Sequence, residues 1–83
     1  MKVLYFAWVR ERVGIEAEEI VVPAEVRTVA DLAGWLAGRG EGYAHAFENP
    51  QVVRAALDRR HAKPDAPLGG AREIAFFPPM TGG

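Results

Sequence analysis

The sequence predicts an α+β fold: one mixed β-sheet with a single main helix packed across one face. Three observations carry that prediction. Segments rich in β-branched and aromatic residues stand at both ends of the chain, "KVLYFAWV" at residues 2–9 and "EIAFF" at 73–77. Between them, "TVADLAGWLAGRG" at 28–40 places apolar residues at helical spacing behind a threonine suited to capping. The chain has 83 residues, 49% hydrophobic and 25% charged, which is enough for one core and too little for two.

Taken in order, residues 2–9 are apolar on both faces, as in a central strand covered on at least one side. "RERVGIEAEE" is a charged connection turning at Gly14. "EEIVV", residues 18–22, is a second strand stopped by Pro23, and so short a connection predicts an antiparallel hairpin. Thr28 is the N-cap of the helix, and Asp31 supplies a carboxylate three residues later. Val29, Leu32, Ala33 and Leu36 form the core stripe, Trp35 covers its edge, and Gly38 and Gly40 end it. "EGYAHAFENP" holds one short helical turn between Gly42 and Pro50. "QVVRAALD", residues 51–58, is a strand, although its alanines would also suit a helix. "RRHAKPDAPLGG" is loop, and "EIAFF" is the last strand, running directly into Pro78. Without repeats or an internal linker, the expected organisation is a domain over residues 1–77 and a flexible tail over 78–83.

Composition narrows the function classes. A net charge of −1 and a pI near 6.1 give no basic field for nucleic acid or an anionic membrane. There is no cysteine, hence no disulfide framework and no thiol chemistry of the chain's own. The apolar runs are too short to span a bilayer, and residues 1–9 lack the pattern of a signal peptide, so a cytoplasmic protein is expected. His45 and His61 are too few and too far apart in sequence to suggest a metal site. No Ser-His-Asp set or phosphate-binding loop is evident; "LGGARE" lacks the Lys-Ser/Thr of a P-loop.

The chemistry concentrates at the end, "FFPPMTGG". The period of two in the last strand puts Ile74 and Phe76 in the core and Phe77 outside, an aromatic anchor of the kind a partner buries. Pro78 and Pro79 fix φ and donate no N–H, so the chain cannot extend the sheet through them. Residues 78–83 reach about 19 Å along a polyproline-type path, enough to enter another protein's active site. Gly82 and Gly83 carry no side chain, so a narrow channel can close around them. The reactive group would be the α-carboxylate of Gly83, inert until ATP converts it to an acyl-adenylate that a sulfur nucleophile can open.

"EIAFFPPMTGG" resembles the C-terminal signature of the molybdopterin synthase small subunits, which are ubiquitin-like β-grasp sulfur carriers. "KVLYFAWVRERVG", "TVADL" and "DAPL" match the family's first strand and turn, its helix start and the loop before its last strand. The resemblance implies that Gly83 is the reacting terminus, adenylated and then thiocarboxylated. Met80, Thr81 and Gly82 would thread the partner's channel, and Phe77, Pro78 and Pro79 would lie at the subunit interface. It implies no cofactor bound by this chain, with Mg-ATP used by a ubiquitin-activating-type adenylating enzyme. A cysteine desulfurase or rhodanese-like protein would donate sulfur. The large subunit of molybdopterin synthase, in a heterotetramer, would hold precursor Z. Two departures concern loops: Asp58 followed by the basic "RRHAK" where the family often has Asn, and "GGARE" where it often has Asp-Gly-Asp-Glu. The alternatives are a related carrier for thiamine, cysteine or tRNA thiolation, a protein-conjugating modifier, or a non-catalytic module whose tail is a polyproline ligand.

Overall fold

The computed structural model describes residues 1–79. Strand β1, Lys2–Tyr5, alternates as a half-covered strand must: Val3 and Tyr5 are buried, while Lys2 and Leu4 face the other way. At Ala7 the backbone enters the left-handed region, φ 50°, and helix α1 begins at once, Ala7–Val13. Gly14, at φ 97°, ends it and donates its N–H to the Arg10 carbonyl at 2.8 Å. Residues 6–13 are thus a corner and a helix where the sequence predicts strand and then charged loop. The continuous apolar run "KVLYFAWV" hides a change of period. Tyr5 is the last residue of the two-residue alternation, whereas Val9 and Val13 lie four apart on one helix face turned to the core.

Strand β2, Ala17–Glu19, pairs antiparallel with β1, Val3 opposite Glu18. The hairpin partnership is the expected one, but the strand is shorter than 18–22, and Val21 stands 91% exposed. Helix α2, Val29–Ala37, starts at the predicted cap. Thr28 Oγ1 accepts from the Asp31 N–H at 3.1 Å, and the Asp31 carboxylate accepts from the N–H groups of Arg27 and Thr28 at 3.0 and 3.2 Å. Those two backbone bonds hold the Asp31 carboxyl below its ordinary pKa. Val29, Leu32 and Leu36 are buried, and Trp35 packs at the edge of the core.

Helix α3, Glu41–Ala46, crosses α1 closely at Gly42, where a Cβ would meet the Arg12 carbonyl oxygen at 2.5 Å. Only glycine fits that crossing. A 3₁₀ turn at Pro50–Val52 then leads into β3, Arg54–Leu57, so the expected strand over 51–58 is trimmed at both ends. Asp58 and Arg59 both take positive φ, 47° and 71°, in a two-residue hairpin loop to β4, Arg60–Ala62. The sequence predicts loop over 59–70; the hairpin escapes notice because neither turn residue is glycine. Asp58 Oδ1 accepts from the N–H groups of Arg72 and Glu73 at 3.0 and 3.1 Å, which fastens the turn to the start of β5, Glu73–Phe77.

The strands run in the order β2-β1-β5-β3-β4, with β5 parallel to β1 and antiparallel to β3. Three helices and five strands therefore replace the simpler strand-strand-helix-strand-strand pattern. The fully buried strand residues all face the helices, where Val3, Tyr5, Ile74 and Phe76 join Val9, Leu32 and Leu36. Each such side chain removed from water contributes about 1.5–3 kcal/mol. Phe47 meets Phe76 edge to face, ring centroids 5.0 Å apart.

Beside this core sits one polar node. The Glu18 carboxylate accepts from Tyr5 Oη at 2.8 Å, Tyr43 Oη at 2.7 Å and Arg39 Nη1 at 2.8 Å. The Arg39 guanidinium lies over the Trp35 and Tyr43 rings. Burial opposes ionisation of Glu18, but the bonds from Tyr43, Tyr5 and Arg39 outweigh it and hold its pKa below 4.5. Burial first, and then the Glu18 contact, pushes both tyrosine hydroxyls upward.

Candidate functional site: the tail exit and the uncovered sheet face

Strand β5 carries the chain to the point where the expected tail begins. Its alternation is as predicted: Ile74 and Phe76 are buried, and Glu73, Ala75 and Phe77 turn to the opposite face. Phe77 is half-buried there rather than freely exposed. Its ring lies 6.0 Å from the His61 imidazole at 70°, on the β4 strand that sequence alone does not reveal. Pro78 and Pro79 are half-buried and belong to no strand, consistent with their missing N–H groups. The remaining predicted site residues, Met80, Thr81, Gly82 and Gly83, lie outside the described residues.

The face that Phe77 shares is the side of the sheet turned away from the helices. Register places Ala17, Leu4, Ala75, Ala56 and His61 in one row across all five strands. Phe77 stands in the next row, opposite Arg54. Phe6, 47% exposed, flanks the strip, its N–H donating to the Phe76 carbonyl at 3.0 Å. Three alanines in that row, with Leu4 between Ala17 and Ala75, make a low apolar floor beside Phe77, on which another protein's side chains can seat. Sequence reasoning finds Phe77 but misses this floor, because Ala17, Ala56 and Ala75 become neighbours only through strand order.

Among the described residues no three His, Cys, Asp or Glu side chains converge as a metal site. His45 faces Glu48 at 3.4 Å, and His61 packs on Phe77. No helix among the described residues is long and apolar enough to cross a membrane. What the arrangement can do is present an apolar face, with the chain leaving β5 at its border.

A mixed sheet with its first and last strands paired in parallel and its helices on one side is the ubiquitin-like β-grasp class. Within that class the chain belongs to the ThiS family, whose model matches residues 3–83. It is 41% identical over 83 residues to the molybdopterin synthase sulfur carrier subunit of Escherichia coli K12, covering 100% of this chain and 99% of the relative. It is 32% identical to the protein of the same name from Haemophilus influenzae, at the same coverage. Among solved structures, it superposes with a TM-score of 0.72 on a Pyrococcus furiosus protein described as molybdopterin converting factor, subunit 1, at 29% identity over 94% of each chain. Its fold also matches that of SAMP1 from Haloferax volcanii, with a TM-score of 0.70 and 23% identity over 100% of this chain and 98% of the other.

Proposed function

We propose that this protein is the sulfur carrier subunit of molybdopterin synthase. Full-length likeness to two carriers of that name carries the reading, and the tail exit beside an uncovered apolar face supports it. The Gly83 carboxylate attacks the α-phosphorus of Mg-ATP in the site of an adenylating enzyme, releasing pyrophosphate. A persulfide sulfur from a donor protein then displaces AMP to form an acyl disulfide. A cysteine thiol of a partner protein attacks the donor's sulfur, forming a disulfide with the donor and releasing the terminal thiocarboxylate. In the large subunit that sulfur is transferred to precursor Z, one dithiolene sulfur per charged tail. This chain supplies the docking face, the stiff Pro78-Pro79 exit and the terminal carboxyl, and the partners supply the catalytic side chains.

Intact-mass spectrometry after incubation with ATP, the adenylating enzyme and a sulfur donor tests the proposal. The expected mass gain is that of one oxygen replaced by one sulfur, located on the terminal peptide. Deleting Gly83 is expected to abolish the gain without lowering the unfolding midpoint. An unchanged mass with the cognate adenylating enzyme, ATP and a sulfur donor present would overturn the reading.

A further inference from the structure

We propose that the β3–β4 edge beside Phe77 is a cationic recess that receives an acidic segment of the subunit taking the tail; this rests on the sulfur-carrier reading. Residues 54–63 hold four of the ten Lys and Arg residues and one of the eleven Asp and Glu residues, so this stretch is +3 in a chain of net −1. None of Arg54, Arg59, Arg60, His61 or Lys63 pairs with an acidic side chain among the described residues. The one acid within the stretch, Asp58, turns its carboxylate to the backbone of Arg72 and Glu73. Arg54 donates to the Gln51 carbonyl at 2.7 Å, which leaves its charge unneutralised. Like charges gathered without acidic partners repel one another, and an acidic surface brought against them relieves that repulsion.

The edge also has shape. A recess of about 240 Å³ opens there, lined by the cationic residues Arg54 and Lys63 and by His61 together with apolar Val29, Val53 and Ala55. A lining that mixes cationic and apolar side chains suits glutamate, whose aliphatic stem can bury while its carboxylate meets a cation. Two of these lining residues adjoin the proposed anchor: Arg54 is opposite Phe77 in register, and the His61 ring packs on it. Val29 and Ala55 belong to the helix side, whereas Arg54 and His61 share the uncovered face with Phe77 by register, so the recess lies at the edge where the two faces of the sheet meet. The acidic edge of a second copy is a poorer occupant. Glu18 of β2 is already committed to Tyr5, Tyr43 and Arg39, and Glu19 faces the N-terminal ammonium at 3.5 Å.

The test is association of the full chain with the large subunit of molybdopterin synthase, measured by titration calorimetry at about 50 and about 500 mM NaCl. Arg54→Glu/Lys63→Glu is expected to weaken binding about tenfold at low salt, with the difference shrinking at high salt. Arg10→Glu/Arg27→Glu, an equal change of net charge on other elements, is expected to weaken it much less. Lys63→Glu alone, at an exposed position outside the strand pairing, gives the same direction if the double variant folds poorly. Equal losses for the two double variants, or no loss at Arg54 and Lys63 while Phe77→Ala still weakens binding, would overturn the recess and leave the carrier reading intact. Self-association that these substitutions abolish, with subunit binding unchanged, would also overturn it. Failure of the unaltered chain to bind at either salt concentration would remove both proposals.

Discussion

Phe77 and Arg59 show how much a single position decides. Phe77 is half-buried against His61, yet its other side belongs to the uncovered strip. Phe77→Ala is expected to weaken association with the large subunit by about 2 kcal/mol, as for a buried aromatic anchor, measured by calorimetry. Its unfolding midpoint should fall far less than that of Phe76→Ala, which empties the core. Arg59 holds φ 71° in a turn where glycine is at ease. Arg59→Gly is expected to stabilise the fold by about 0.5–1 kcal/mol, read from the urea midpoint at constant slope. A lower midpoint would mean that the arginine side chain contributes more than its strained backbone costs.

Among the elements, those with local chemical signals were legible in the sequence, and those that depend on partners were not. The cap of α2 is written in Thr28 and Asp31, and the alternation of β5 in Ile74 and Phe76. α1 is concealed because its apolar residues continue the run of β1, and β4 because three polar-leaning residues make a strand only beside β3. The candidate site divides likewise. The anchor and prolines can be read directly, whereas the alanine floor exists only through strand order. The α1–α3 crossing depends on a glycine whose role no sequence pattern announces. Gly42→Ala is expected to cost about 1–3 kcal/mol, because the added methyl must push the Arg12 carbonyl away. Chemical denaturation measures that cost, and Gly34→Ala, whose Cβ would meet nothing within 4 Å, is the matched control.

At the scale of the whole molecule, the Glu18 node joins the sheet to the end of α2 and the first turn of α3, through Tyr5 of β1, Arg39 after α2 and Tyr43 of α3. The folded-state pKa of Glu18 lies below its ordinary 4.5, so its contribution is complete above that value and is lost as pH falls through the folded pKa. Asp31 acts in the same direction. Stability from urea midpoints is therefore expected to decline between about pH 5 and pH 3, and Glu18→Gln should flatten part of that decline. Equal acid slopes in the two proteins would show that the three hydrogen bonds do not discriminate between the charged and neutral carboxyl.

The central place of β5 has a consequence for biosynthesis. Most of the sheet's pairing waits on Glu73–Phe77, which joins β1 to β3. A nascent chain emerging from the ribosome therefore exposes two unconnected hairpins until that strand clears the exit tunnel. Only then can the whole sheet close. The residues after Phe77 emerge later still, behind the strand that completes the fold, so a partner that recognises the completed sheet meets them only once β5 has docked.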